Sequence, residues 1–271
     1  MTRFIRTGPP LLLAALLSTT ACTAAADTGS PPSPTPTLTA PPPPSADAAV
    51  RSVPDEQWQR MKDAGMVRAG CPVTSPGQLR RVEINHYDFD GEIQRGVLVV
   101  NADIAESTVR IFTALFDAEF PIKQMKPLEE YGGDNTPSLA DDNTASFNCR
   151  RSNQINAPAL ESPHANGRAI DINPLENPWM DLRCKCWKPS AEFSERTEGK
   201  GKILEGDQVW QLFIDEGWIW QNIDVPDYMH FDTGYPSKPF TGTTGGTPPS
   251  SAGESAPTGA PPSPAADGGA P

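Results

Sequence analysis

Two short segments hold the residues of this chain best suited to chemistry. The first is Ser162-Pro163-His164-Ala165-Asn166-Gly167-Arg168-Ala169-Ile170-Asp171-Ile172-Asn173-Pro174, and the second is Asp227-Tyr228-Met229-His230-Phe231. Together they offer two imidazoles and a carboxylate, the ligand set of a catalytic zinc site with a fourth position open to water. Asp227, three residues before His230, stands where a general base is wanted. The chain has 3 histidines, and two of them fall here. His164, Asp171 and His230 are therefore the predicted ligands of one zinc ion. His86, in Asn85-His86-Tyr87, lacks such company and reads as an ordinary core or surface residue. An aspartate in a strand can equally cap a turn, but residue types, order and strand phase agree on a metal site here.

The elements that must position these side chains can be read around them. Residues 169–173 alternate as a strand does, with Ile170 and Ile172 on one face and Ala169, Asp171 and Asn173 on the other. Met229 and Phe231 likewise face away from His230. His164 precedes Asp171 by a span of roughly 23 Å if fully extended. Ligands of one metal lie within a few ångströms of each other, so the chain must fold back, and Gly167 is the residue that permits the turn. Asp227 follows Pro226 and belongs to the loop entering the last strand, where it overhangs the metal rather than ligating it.

The pattern Ser-x-His-x-x-Gly-x-Ala-x-Asp followed by Asp-x-x-His-Phe resembles the VanY-type zinc D-alanyl-D-alanine carboxypeptidases. That family shares the Hedgehog/DD-peptidase fold with VanX-type dipeptidases and phage L-alanyl-D-glutamate endolysins. The resemblance extends to Ser146-Phe147-Asn148-Cys149-Arg150 and Gly70-Cys71-Pro72, covering about residues 65–235. It implies that His164, Asp171 and His230 bind zinc, that Asp227 is the catalytic base and that Arg150 polarises the substrate carbonyl. Arg151 adjoins Arg150, so the two assignments are interchangeable. Aspartate at the base position matches the carboxypeptidase and endolysin branches, whereas many relatives have glutamate there. The segment from about 178 to 203, with Cys184-Lys185-Cys186, looks like a local elaboration for which the family offers no role.

The implied reaction is metal-assisted peptide hydrolysis in peptidoglycan stem peptides. Asp227 takes the proton of the attacking water and returns it to the departing amine, while Arg150 shares the developing oxyanion. A carboxypeptidase must also recognise a free terminal carboxylate, for which Arg150, Arg151 and Arg168 are the candidates. Removal of terminal D-alanine is the expected reaction, and an endolysin-like cut between L-Ala and D-Glu is the alternative. A Cys–His transpeptidase would need a Ser-x-Gly-Cys-like element after the histidine, which Cys184 lacks, and no Ser-x-x-Lys tetrad supports a serine peptidase. A non-catalytic zinc-stabilised module of the same fold would require neither Asp227 nor Arg150.

Composition sets the surroundings. Arg3 and Arg6, an apolar run from Leu11 to Leu17 and then Ser18-Thr19-Thr20-Ala21-Cys22 read as a secretory signal over residues 1–21, too short to span a bilayer. The Ala21-Cys22 junction resembles the lipobox of bacterial lipoproteins. Cys22 is thus the expected lipidation site, and the membrane is a partner through that lipid alone, at the outer face of the cytoplasmic membrane. Thr19 departs from the usual leucine and leaves ordinary signal cleavage open. Residues 22–50 are a Pro-rich tether, at most about 85 Å long as polyproline II. Residues 51–240 form the peptidase domain, and 241–271 repeat the tether's composition as a disordered tail. A net charge of −12 without a basic cluster argues against nucleic acid as partner.

Within the domain, Pro54-Asp55-Glu56 opens a helix with Trp58 and Met61 on one face that ends at Gly65. Val82-Glu83-Ile84 and Val97 to Val100 flank Asp90-Gly91 as a hairpin. A helix from about Ala105 to Ala118 follows, with Asp103 and Glu106 as a capping box and Val109, Phe112, Leu115 and Phe116 as its apolar stripe. Another runs from Asp207 to Glu216, and strands at Trp218–Trp220 and Tyr228–Asp232 close the domain. The fold class is α+β with a mainly antiparallel sheet and flanking helices. With Cys22 lipidated, four cysteines remain in an exported chain and suit two disulfides, for which three pairings exist. The family-like setting of Cys71 and Cys149 favours Cys71–Cys149 with Cys184–Cys186.

Overall fold

The computed structural model describes residues 43–149, 160–221 and 225–242. Cys22, most of the tether, the tail, Arg150 and Arg151 lie outside the described residues. In chain order the elements are β1 (Ala49–Ser52), α1 (Asp55–Asp63), β2 (Leu79–Tyr87), β3 (Ile93–Asn101), α2 (Ala105–Asp117), β4 (Gln124–Met125), α3 (Asn135–Ala140), β5 (Asn143–Thr144), β6 (Ala169–Asp171), β7 (Trp179–Asp181), β8 (Cys186–Lys188), α4 (Gln208–Asp215), β9 (Ile219–Trp220) and β10 (His230–Asp232).

Helices and mainly antiparallel strands mix as expected for α+β, but the strands are spread over several small sheets. β1-β2-β3 form one antiparallel sheet and β6-β10-β9 another, with β7–β8 as a separate hairpin. β4 and β5 pair in parallel, an arrangement the reach of residues 126–142, with α3 inside it, makes feasible. The boundary read at residues 50/51 falls inside β1. Asn85 N–H donates to Ala46 O at 2.7 Å, and Ala46 is buried in the core. The fold therefore begins several residues earlier, in a stretch whose small, Pro-adjacent residues resemble tether.

The β2–β3 hairpin is the spine. Val82, Ile84, Leu98 and Val100 enter one hydrophobic cluster, whereas Leu79 and Val99 enter a second. The first cluster packs β2 and β3 against α2, α4 and the strands bearing Ile170, Ile172 and Phe231. The second gathers Met61 of α1 with Phe147 and the Cys71–Cys149 disulfide, which closes a 78-residue separation. A crosslink over a loop of that length stabilises a domain by about 4 kcal/mol. The Cys184–Cys186 bond lies at the β7–β8 turn.

Helix α2 buries Phe112, Leu115 and Phe116 of its expected stripe, with Val109 partly buried beside them, and α4 buries Val209 and Phe213. Asp207 caps α4 by accepting from Trp210 N–H. The capping box expected of Asp103 and Glu106 does not form. Ile104 is the N-cap of α2, and the Asp103 carboxylate instead accepts three hydrogen bonds of 2.6 to 3.1 Å from Arg168 and one from Phe240 N–H. A charged partner distant in sequence outcompetes a local cap.

Candidate metal centre

β6 and β10 lie side by side, with His230 directly opposite Asp171. Their reverse faces hold Ile170 and Phe231 in the core, so the two ligand candidates stand on one side of the sheet by strand phase alone. His164 reaches them through the tight turn before β6. Gly167 N–H donates to His164 O at 2.9 Å and Arg168 N–H to Pro163 O at 2.8 Å. Gly167 has φ +69°, and a Cβ there would come within 2.8 Å of the Asn101 backbone nitrogen, so glycine is required twice over.

The result is a near-equilateral triangle of donor atoms. His164 Nε2 lies 3.1 Å from Asp171 Oδ1 and 3.1 Å from His230 Nδ1, and His230 Nδ1 lies 3.0 Å from Asp171 Oδ1. The remaining ring nitrogens face acceptors. His164 Nδ1 is 2.8 Å from Ser146 O and His230 Nε2 is 3.1 Å from Asp232 Oδ2. A carbonyl and a carboxylate can only accept, so these nitrogens carry the protons and the inward nitrogens of neutral rings present lone pairs. Three lone-pair donors converging in a buried site require a proton or a cation between them. Ligands at zinc's usual 2.0–2.1 Å in a tetrahedron are separated by about 3.3 Å, close to the edges found here. The donor set fits a metal ion.

Burial works against a charged His230, but hydrogen bonds to Asp171 and Asp232, with the charges of Asp171 and Asp227 behind them, hold its pKa well above the ordinary value. Burial likewise pushes the Asp171 carboxyl up, and the two imidazoles outweigh it and keep that group ionised far below the usual carboxylate range.

Asp227 lies on the turn into β10, where His230 N–H donates to its carbonyl at 3.2 Å. It is partly exposed and outside the donor triangle. Arg168, a candidate for recognising a terminal carboxylate, is withdrawn from that role by its bidentate pairing with Asp103 and its burial. The simple reason is competition: a paired guanidinium has no free fork. His86 is buried beside β3, its ring nitrogen near Tyr87 O, with burial lowering its pKa. Trp218 is a core residue donating to Ser107 Oγ at 2.8 Å, whereas Trp220 is half-buried against Tyr228.

Sequence reasoning missed three features. Asp232 follows His230 at the two-residue spacing that keeps both on one strand face, a signal readable in His230-Phe231-Asp232. Ser146 serves through its backbone carbonyl, which no side-chain pattern reveals. Asn173 and Asn177 form a buried polar hub just past the end of β6. Asn177 Nδ2 reaches the carbonyls of Ile172, Asn173 and Gly201, and Asn173 Nδ2 reaches those of Pro121 and Gly201. Asn173, at φ +43°, ends β6 in the left-handed region that asparagine tolerates.

Residues 156–233 match the model of a family described as D-alanyl-D-alanine carboxypeptidase. No curated protein and no solved structure matches the chain. The matched segment holds His164, Asp171, Asp227 and His230, while Gly70-Cys71-Pro72 and Ser146 to Arg150 lie before it. The resemblance to the VanY-type D-alanyl-D-alanine carboxypeptidases is thus supported over residues 156–233, the part that matches that family's model.

Proposed function

We propose that this protein is a zinc-dependent peptidoglycan stem-peptide hydrolase that removes terminal D-alanine from D-Ala-D-Ala. The convergence of His164 Nε2, Asp171 Oδ1 and His230 Nδ1 at 3.0–3.1 Å carries the reading, and the family match points to the substrate. The two adjoining antiparallel strands that bear the ligands suit the Hedgehog/DD-peptidase fold. Zinc held by His164, Asp171 and His230 supplies Lewis acidity toward water and the scissile carbonyl. Asp227 takes the proton of the attacking water and passes it to the departing amine. Ser146 O and Asp232 keep the two imidazoles in the tautomers that ligation needs. Arg150, or Arg151 in its place, stabilises the oxyanion, and with Arg168 committed to Asp103 the same two arginines are the candidates for the substrate's terminal carboxylate. The leader ending at Ala21-Cys22 places the domain at the outer face of the cytoplasmic membrane through a lipidated Cys22, and residues 22–42 tether it within reach of the wall.

Mass spectrometry of products from a synthetic D-Ala-D-Ala-ended pentapeptide, with a free or an amidated terminus, tests the reading. Loss of one alanine from the free peptide and little from the amide is expected. Cleavage at an internal L-Ala–D-Glu bond that ignores amidation would replace the carboxypeptidase with an endopeptidase. Failure to hydrolyse either peptide in the zinc-loaded protein would favour a binding module.

A further inference from the structure

The segment from 178 to 203 is the part of the domain that the zinc chemistry leaves unused. Its β7–β8 hairpin is closed at the turn by the Cys184–Cys186 disulfide and by Asp181, whose carboxylate accepts from the Arg183 amide and guanidinium. The edge of β7 faces the approach to β10. Trp179 forms an antiparallel bridge with Asp227, Met180 N–H donates to Pro226 O at 2.8 Å, and Tyr228 N–H donates to Pro178 O at 3.3 Å. The candidate base is thereby held in a short backbone ladder against the hairpin. From the other side, Asp227 N–H donates to Gln221 Oε1 at 3.1 Å, and Trp220 Nε1 donates to Tyr228 O at 3.0 Å.

Side chains repeat the clamp. The Trp187 ring stacks on Tyr228 with centroids 5.4 Å apart, and the Arg196 guanidinium lies 4.2 Å from the centre of the same tyrosine ring. Arg196 also donates to Glu176 O, to Asn177 Oδ1 and to Ile203 O. It thus links the segment to the asparagine hub that follows β6. A general base acts within hydrogen-bond reach of its proton, and a misplacement of about 1 Å costs on the order of a hundredfold in rate. A loop carrying such a base needs a support, and every non-local contact described above comes from the elaboration or from the β9 end.

We infer that the 178–203 segment is a positioning clamp for Asp227, with Trp187 and Arg196 as positioning residues acting through Tyr228. The inference rests on Asp227 being the general base proposed above. It predicts a loss chiefly in turnover rather than in metal or substrate binding, because Asp171 and His230 are also fixed by the β6–β10 pairing and by their own hydrogen bonds.

The test uses the full-length zinc-loaded protein and its Trp187→Ala, Trp187→Phe and Asp227→Asn variants. Amide hydrogen exchange at Met180 and Tyr228, zinc content, and kcat and KM on the D-Ala-D-Ala-ended pentapeptide are measured together. Trp187→Ala should exchange faster at both amides and lose at least about tenfold in kcat, with KM and zinc content within about twofold. Trp187→Phe, which keeps a stacking ring, should recover most of the loss. Wild-type protection at Met180 and Tyr228 in Trp187→Ala overturns the clamp, whether or not the peptide is cleaved. An inactive Asp227→Asn beside a fully active Trp187→Ala overturns it as well and leaves the base intact. A fully active Asp227→Asn instead removes the base, and the catalytic consequence of the clamp with it.

Discussion

The two halves of the candidate site are held by different means. His164, Asp171 and His230 are 4, 8 and 5 % exposed, stand on adjacent strands or the turn before them, and each histidine has its outer nitrogen fixed by an acceptor. Asp227 is partly exposed, follows a proline on a turn, and is paired through its backbone with the β7–β8 hairpin rather than with the strands that carry the ligand candidates. One half is built into the sheet, and the other is leaned against it. Metal binding and proton transfer should therefore fail separately, and each half should be breakable without the other.

The hardest break is His164→Ala, which removes one vertex of the donor triangle and opens a cavity at its place. Zinc at one equivalent in the wild type and essentially none in the variant, with activity abolished, is the expected outcome. Full occupancy by metal analysis would dissolve the triangle as a binding site. Next comes Asp227→Asn, which should retain zinc and thermal stability while turnover falls by about 10²- to 10⁴-fold. Loss of zinc in this variant would move Asp227 into the ligand set and erase the contrast.

A finer cut addresses the support of His230. Asp232→Asn keeps the volume but weakens the acceptor for His230 Nε2–H, so zinc affinity should fall about 10- to 100-fold, measured by competition with a chromophoric chelator. An unchanged affinity would mean that the strand alone orients the ring. The last test lies beside the ligand half. Burial pushes the Glu176 carboxyl up, and the charge of Asp142 adds to it, to about 8. The folded protein keeps this proton to about pH 8, whereas an unfolded glutamic acid loses it near 4.5. The stabilising contribution is thus complete below 4.5 and is lost as pH rises through 8. Denaturant unfolding should show a fall of at most about 1.4 kcal/mol per pH unit from this group in that window, and Glu176→Gln should flatten it. A slope identical in wild type and Glu176→Gln would assign the proton elsewhere.

The same contrast explains what could be read from residues in order. The ligand half was legible because its logic is local: the alternation of Ile170, Asp171 and Ile172, the turn at Gly167 and the spacing of Asp227 and His230 each need only a few residues. The β2–β3 hairpin and the stripe of α2 were readable for the same reason. What escaped depends on partners far along the chain. Asp103 looks like a cap until Arg168 arrives from 65 residues away. Residues 45–48 look like tether until β2 offers them an edge. The parallel β4–β5 pair joins two-residue strands, too short to leave any periodicity. The clamp on Asp227 is made largely of backbone bonds, which carry no side-chain signature at all.

The Cys71–Cys149 bond ends one residue from Asn148, whose N–H donates to His164 O, and three from Ser146, whose carbonyl orients the same ring. Its consequence is one of timing. Until this bond closes, the segment that aims His164 is missing an anchor at one end, so the crosslink favours the donor triangle once formed. A chain whose cysteines have not yet been joined would hold the candidate ligand His164 less firmly.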